Sequence, residues 1–395
     1  MQRKIAFNII YSTIVRKSYS NLLLRNELDK LPSIQRPFVS ELVGGVLRNY
    51  DLLVYQTKSL YNTTNIQNEI ILAMACYEKF FMKEKDYVVN NEYVKLAKDE
   101  YAKSFINAVL HKTNTFLNPD DEHIKVSLPQ WIYDLLNKQY SKNEFDKIIK
   151  NYTKIPKVYY RLNPNKASFN DLNKYNINII DDLTFTSDSN LINTEEFNNG
   201  YFYVQDINAS KLVGYLNLHN DDLFLDACSA PGSKLFNALE IIKEDNAYAN
   251  DLIENRVNLI SSKAKLLGYN NIHLSVHDAS SLHEYFDFKF DKILLDVPCS
   301  GLGVLNRKTD IKFHITPNSL DELVILQQNI LDSCYKLLKD NGLLLYSTCT
   351  LNKKENNRQI NNFLAMHSDA NLINEETIIS EYGDMFYYAL LTKKM

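Results

Sequence analysis

The chain has 395 residues, 44 Lys and Arg against 48 Asp and Glu, and a formal net charge of −4. That length exceeds an ordinary compact domain, so two or three are expected, and the charge argues against a globally basic nucleic-acid binder while leaving room for a local basic face. Apolar runs all fall short of membrane-spanning length, Met1-Gln2-Arg3-Lys4 leads into no signal-like apolar core, and five irregularly spaced cysteines argue for a reducing, cytoplasmic setting rather than a disulfide scaffold.

Residues 1 to about 115 read as helices. Phe38, Leu42, Val43, Val46 and Leu47 form one apolar stripe, Ile70, Met74, Tyr77 and Phe81 a second, and Tyr93, Val94 and Ala97 a third. Cys76 lies beside the second stripe and reads as packing. Residues 1–48 carry eight Lys and Arg against Glu27, Asp29 and Glu41, which fits either a basic binding face or an ordinary solvated helical surface. An all-α domain that works through its surface is the expectation.

The turn-rich run Asn118-Pro119-Asp120-Asp121-Glu122 sets a boundary near residue 125. Beyond it, Ser127-Leu128-Pro129-Gln130-Trp131 opens a helix with proline in its first turn. Val158 to Pro164 then reads as a strand within a small α/β unit. Arg161 on that strand is open to two readings, a phosphate contact or a surface cap.

From about residue 216 short strands alternate with helices, with strands expected at 223–226, 247–251, 272–276, 292–296 and 343–347. A helix from Asp321 to Leu338 precedes the last strand, after the glycine turn Asp340-Asn341-Gly342, and Gly383 to Leu391 adds a late strand. This alternation predicts a Rossmann-like, mainly parallel sheet with a nucleotide-like cofactor beyond the strand ends. The expected domains are 1–125, 126–215 and 216–395.

The first of these strands runs into Asp226-Ala227-Cys228-Ser229-Ala230-Pro231-Gly232-Ser233-Lys234, a tight loop whose backbone N–H groups suit the polar end of a cofactor. It is neither G-x-G-x-x-G nor a P-loop. Lys234 either closes the loop or is a solvated helix lysine. Asp251 ends the next strand, where an acid can accept from both ribose hydroxyls, and Asp278 after the third strand is either an adenine-end contact or a helix cap. Two further strands end at cysteines, in Asp296-Val297-Pro298-Cys299-Ser300-Gly301 and Tyr346-Ser347-Thr348-Cys349-Thr350. Cys334 shares a helical stripe with Leu326, Ile330 and Leu337 and reads as core.

The loop at 226–234 and the two cysteine segments resemble three motifs of the S-adenosylmethionine-dependent RNA cytosine-5 methyltransferases. Phe38 to Arg48, Val89 to Lys98 and Phe105 to Leu110 resemble the NusB-like RNA-binding domain. Together, with Val204-Gln205-Asp206 and Asn306 to Phe313, they make the chain similar to the RsmB (Sun, Fmu) type. The resemblance implies a seven-stranded methyltransferase sheet behind a helical front domain and a small α/β connecting unit. It also implies S-adenosylmethionine as cofactor, no metal, and methylation of a cytosine in bacterial 16S rRNA.

Carried over residue by residue, the resemblance makes Cys349 the nucleophile at cytosine C6 and Cys299 the partner in its release. Asp296 would meet N3 and the amino group. The cofactor would be held by Cys228, Ser229, Ala230, Pro231, Gly232, Ser233, Lys234, Asp251, Asp278 and Asp296. Ser233 replaces a usual glycine, Thr309 a usual proline, Phe313 a usual tryptophan and Ala108 a usual glycine. The expected partner is 16S rRNA or an early small-subunit intermediate, bound by a monomer. The same chemistry on tRNA is an alternative, as is a non-catalytic scaffold, which would need neither thiol. A nicotinamide oxidoreductase would need the glycine fingerprint this chain lacks.

Overall fold

In the computed structural model, which describes residues 1–62 and 64–394, the first 154 residues fold as helices. They are α1 (Gln2–Arg16), α2 (Ser20–Leu28), α3 (Arg36–Arg48), α4 (Tyr50–Lys58), α5 (Ile66–Phe80), α6 (Asp86–Val94), α7 (Glu100–Lys112), α8 (Glu122–Lys125), α9 (Gln130–Gln139) and α10 (Lys142–Thr153). Pro37 opens α3, and its Val39, Leu42, Val43, Val46 and Leu47 all face the core. The middle helix, α5, is buried from Ile70 through Lys79, as expected of a helix wrapped by others. The Asn65 side chain caps it by accepting from the Asn68 N–H at 2.8 Å. The third expected stripe is cut short, because α6 stops at Val94 and Ala97 lies in the turn beyond.

Part of the basic excess in residues 1–48 turns inward. The Arg3 guanidinium lies 2.6 Å from the buried carboxylate of Glu78, and Arg48 is half-buried. This unit comprises Met1–Lys154 together with Leu305–Ile315; the second comprises Ile155–Val304 and Thr316–Met395.

The second unit opens with a small antiparallel sheet of β1 (Tyr159–Leu162), β2 (Ile177–Ile179), β3 (Thr184–Ser187) and β4 (Phe202–Val204) in the order β2-β3-β1-β4. Tyr160, Phe185 and Phe202 fill one face of it. Arg161 takes neither expected role, since it makes a two-pronged ion pair with Glu240 at 2.8 and 2.6 Å within its own unit.

After α11 (Glu195–Asn198) and α12 (Ile207–Leu212), the large sheet begins with β5 (Phe224–Asp226), α13 (Ser233–Ala238), β6 (Ala247–Asn250), α14 (Glu254–Leu267), β7 (His273–Ser275) and β8 (Phe290–Asp296). It continues past α15 (Ile311–His314) with α16 (Pro317–Lys336), β9 (Leu338–Thr348), α17 (Asn357–Met366), β10 (Ala370–Ile378) and β11 (Phe386–Lys393). The order is β10-β11-β9-β8-β5-β6-β7, parallel from β9 through β7, with β11 antiparallel to both of its neighbours. This is the seven-stranded, mainly parallel Rossmann-like sheet that the resemblance implies.

Three details differ from expectation. The strand β9 starts at Leu338 and runs through the expected glycine turn, where Asn341 has φ 61° and the pairing with β8 shifts register. Helix α16 starts at Pro317, capped by the Thr316 side chain, ahead of Asp321. At the sheet edge lies β10, a strand the sequence hid behind Asn371, Asn374, Glu375 and Glu376; charged edges of this kind deter pairing with other chains.

Candidate active site

Parallel pairing of β8 with β9 sets Asp296 opposite Ser347. The two chains leave the sheet side by side, and Cys299 Sγ and Cys349 Sγ meet at 3.3 Å as free thiols. One carboxylate holds both cysteine loops. Glu355, fully buried, accepts from Ser300 N at 2.8 Å, Ser300 Oγ at 2.6 Å, Gln327 Nε2 at 3.0 Å and Asn352 Nδ2 at 3.0 Å. The Ser300 and Thr350 hydroxyls meet at 2.6 Å, so the residues following the two cysteines are tied directly as well. Gly303 closes the arrangement: its N–H donates to Cys349 O at 2.9 Å, and a Cβ there would sit 2.1 Å from Met385 O.

Beside the thiols stands a partly buried ion pair. Lys234 Nζ donates to Asp296 Oδ2 at 2.5 Å, and Ser347 Oγ donates to Asp296 Oδ1 at 3.1 Å. Lys234 is therefore neither solvated nor a simple loop closure. Burial pulls its ammonium pKa down, but Asp296 more than compensates, leaving it above the ordinary lysine value. The cation that results also interacts with Cys349, and a local positive charge of this kind favours a thiolate. Cys299 is held well above the ordinary thiol range by its hydrogen bond to the Cys349 sulfur and by burial.

The remaining cysteines are all free thiols. Burial pushes Cys76 up to about 12 and raises Cys334 and Cys228 strongly, and Cys76 and Cys334 are core residues.

The loop after β5 turns through a cis Ala230-Pro231 bond to Gly232, whose φ of 97° is costly for other residues. Ser233, where a glycine is usual, begins α13 and is not among the positive-φ residues, so the serine costs no strain. Asp226 is buried at the end of β5, and its Oδ1 has no hydrogen-bond partner among the described residues. Burial, opposed by the Ser229 hydroxyl and aided by the Asp296 charge, lifts its carboxyl to about 7.

Asp251, just beyond β6, accepts from Ala230 N at 3.2 Å and from Ile253 N at 3.3 Å and lies 3.3 Å from Arg256 Nη2. Asp278 is exposed and caps the turn after β7, accepting from Ser280 N at 2.9 Å and Ser280 Oγ at 2.8 Å. Asn250, fully buried, joins three strand ends: its Nδ2 donates to Ala227 O at 3.1 Å and His277 O at 3.0 Å, and its Oδ1 accepts from Ser275 Oγ at 3.0 Å.

Neither Glu355 nor Asn250 was singled out from sequence. Glu355 stands in the polar run Asn352-Lys353-Lys354-Glu355, which reads as surface, and Asn250 stands inside the expected strand 247–251, where nothing local marks its side chain as a tie between strand ends.

Carboxylates thus follow one another at or just past the ends of β8, β5, β6 and β7, as Asp296, Asp226, Asp251 and Asp278. They suit a nucleoside carrying an ammonium and a sulfonium, and the orphaned Asp226 oxygen is the kind of buried acceptor such a cation would satisfy. Fold and site together define an S-adenosylmethionine-dependent RNA cytosine-5 methyltransferase.

Residues 213–389 match the family described as 16S rRNA methyltransferase RsmB/F, and residues 1–115 match the NusB family. A Bacillus subtilis (strain 168) protein, named probable ribosomal RNA small subunit methyltransferase B, is 30% identical over 93% of this chain and 89% of its own length. The Shewanella oneidensis ribosomal RNA small subunit methyltransferase B is 28% identical over 91% of each chain. The solved structure of PH0851 superposes with a TM-score of 0.81 at 20% identity, covering 99% of this chain and 98% of its own. NSun6 from Pyrococcus horikoshii, solved with SFG, superposes with a TM-score of 0.59 at 18% identity over 68% of this chain and 98% of its own; both likenesses concern the fold. The chain belongs to the 16S rRNA methyltransferase RsmB/F family, with a NusB-like front domain. Among the described residues no helix is long and apolar enough to cross a membrane.

Proposed function

We propose that the chain methylates C5 of a cytosine in 16S rRNA through a covalent Cys349 adduct, and that the observation carrying this is the 3.3 Å Cys299–Cys349 pair beside the Lys234–Asp296 ion pair. C5 of cytosine is a weak nucleophile. Addition of the Cys349 sulfur to C6 forms an S–C6 bond and moves the C5–C6 π pair toward C5, with Asp296 at N3 and the amino group stabilising the charge that develops. Held by the loop at 226–234, S-adenosylmethionine would supply C5 with an electrophilic methyl group from sulfonium sulfur and leave as the neutral thioether. Loss of the C5 proton to a base restores the C5–C6 double bond and expels Cys349 as thiolate, which the Cys299 S–H is placed to receive by hydrogen bond.

Cys228, Ser229, Ala230, Pro231, Gly232, Ser233 and Lys234 would line the methionine end of the cofactor, Asp251 its ribose and Asp278 its adenine end. The target base must be unstacked or flipped to reach these thiols. The functional division we propose is 1–125 for RNA binding, 126–215 as connector and 216–395 for methyl transfer, acting as a cytoplasmic monomer on rRNA or an early small-subunit intermediate.

Cys349→Ala is expected to lose methyl transfer from labelled cofactor while keeping cofactor affinity in calorimetry; full activity would sink the assignment. Cys299→Ala is expected to accumulate an RNA–protein adduct stable to denaturing electrophoresis. Bisulfite mapping of rRNA with and without the gene then locates the target cytosine.

A further inference from the structure

Side chains at the end of β9 alternate between the two faces of the sheet. Ser347 points to one face, where its Oγ donates to Asp296 Oδ1 at 3.1 Å, and Cys349, two residues on, meets the Cys299 sulfur at 3.3 Å. Tyr346 and Thr348 point to the other face, and both are fully buried. Each is tied there to the approach to α17: Tyr346 Oη donates to Glu355 O at 2.8 Å, and Thr348 Oγ1 donates to Asn356 Oδ1 at 2.7 Å. The Asn356 carboxamide also reaches past the cysteine, its Nδ2 donating to Thr350 O at 2.9 Å. A carbonyl can only accept, so this contact fixes which amide atom is which. Asn356 therefore grips the residue before Cys349 and the residue after it.

The place of Asn356 in the chain makes this pattern informative. It is the N-cap of α17, where an asparagine oxygen ordinarily accepts from a backbone N–H of the first helical turn, yet its side chain makes no such bond. Only 1% exposed, it directs its acceptor and a donor to the strand end instead. Glu355 acts differently, since its carboxylate gathers Ser300, Gln327 and Asn352. The peptide units that carry the Cys349 side chain are held by its neighbour.

We infer that Asn356 is a positioning residue for the attacking sulfur: by bridging Thr348 and Thr350 it fixes the backbone on either side of Cys349 and so sets where its Sγ lies against Cys299 and the incoming C6. The inference rests on the reading of Cys349 as nucleophile and adds to it a residue that acts only through the backbone it holds.

The test uses the full-length protein. Asn356→Ala is expected to lower kcat by on the order of 10², the scale of misplacing a reacting atom by an ångström or so, with KM for RNA and cofactor affinity within about twofold of wild type. Thr348→Val, close to threonine in shape, removes the other end of the same hydrogen bond and should lower kcat likewise, whereas Thr348→Ser, which keeps the hydroxyl, should recover most of it. Because both residues act through one bond, the Thr348→Val/Asn356→Ala double variant should be little slower than Asn356→Ala alone. A second readout needs no RNA. Diamide joins adjacent thiols as a disulfide, its N=N bond taking up the two hydrogens, and peptide mapping follows the Cys299–Cys349 link. That link should form about tenfold more slowly in Asn356→Ala, where the sulfurs are no longer held together.

Wild-type kcat and wild-type linking in Asn356→Ala overturn the inference, as do fully additive losses in the double variant. Losses of RNA and cofactor affinity in step with kcat also overturn it, because they mark a purely structural role. If Asn356→Ala does not fold, Thr348→Val against Thr348→Ser decides, and equal kcat in those two sinks the clamp. A wild-type protein that shows no Cys349-dependent methyl transfer, in a series where Asn356→Ala still slows the linking, would fail the proposed function and leave the clamp standing.

Discussion

Cys349 lies at the end of β9, but what makes its position useful is Glu355, six residues later and fully buried. Its four hydrogen bonds gather the loops of both cysteines. Glu355→Ala would leave Ser300, Gln327 and Asn352 without their shared acceptor and let the two sulfurs drift apart. The expected result is a loss of about 10² in kcat, the cost of misplacing reacting groups by an ångström or so, with cofactor affinity within about twofold of wild type. Glu355→Gln, which keeps half the acceptors, should fall between. A matching loss of cofactor affinity would instead mark general unfolding. Asp226 makes a second prediction. Its carboxyl titrates near 7 in the fold and near 3.8 when unfolded, so the native state holds the extra proton between those values. Stability of the methyltransferase unit should therefore fall as pH rises from about 4 to 7 and lose this contribution above that. Urea midpoints at pH 5 and 8 would show the drop, and Asp226→Asn should shrink it. The thiols were legible because each terminates an apolar strand. Glu355 was not, because its partners come from three separate segments and nothing local distinguishes it from the lysines beside it.

Helix α15 and the residues before it belong structurally to the helical unit, although in sequence they follow directly on the Cys299 loop. Lys312 explains the attachment. Buried, it donates to Arg48 O at 2.9 Å and Ser127 O at 2.5 Å, covering carbonyls at the end of α3 and before α9 that no helix bond satisfies. Phe313 packs edge-on against Tyr50 at 5.6 Å, and Asp310 accepts from Ser20 N at 3.0 Å. Burial brings Lys312 down to about 8. The unfolded chain keeps that proton to about 10.5, so the unfolded state binds more protons between pH 8 and 10.5, and the helical unit should gain stability across that window. Thermal unfolding at pH 7.5 and 9.5 checks the sign, with Lys312→Met expected to remove the dependence. Sequence pattern found the helices and the five parallel strands because their apolar periods are strong. It missed β10, whose outward residues are polar, and it could not see that residues 305–315 leave one unit for the other, since the apolar Ile311 and Phe313 would satisfy either core.

At the scale of the whole chain this means that cutting at residue 154 does not separate the two units cleanly. A fragment of residues 155–395 keeps the complete large sheet, the loop at 226–234 and both cysteines, yet it carries Leu305–Ile315 without the helices that segment packs into. In that fragment Phe313 loses Tyr50, Lys312 loses both carbonyls, and Asp310 loses Ser20 N. Fixing an eleven-residue segment costs roughly 1–2 kcal/mol per residue in backbone entropy, and the loss of those contacts removes much of what offsets it. Limited trypsin should therefore cut the fragment rapidly at Arg307, Lys308 and Lys312, while the full-length chain resists at the same sites. Cofactor binding by calorimetry should survive in the fragment, because no residue proposed to hold the cofactor lies in the missing part. Equal cleavage rates in fragment and full chain would mean that the segment is held by something other than the helical unit. Loss of cofactor binding would mean that the methyltransferase sheet depends on the helices for its own folding.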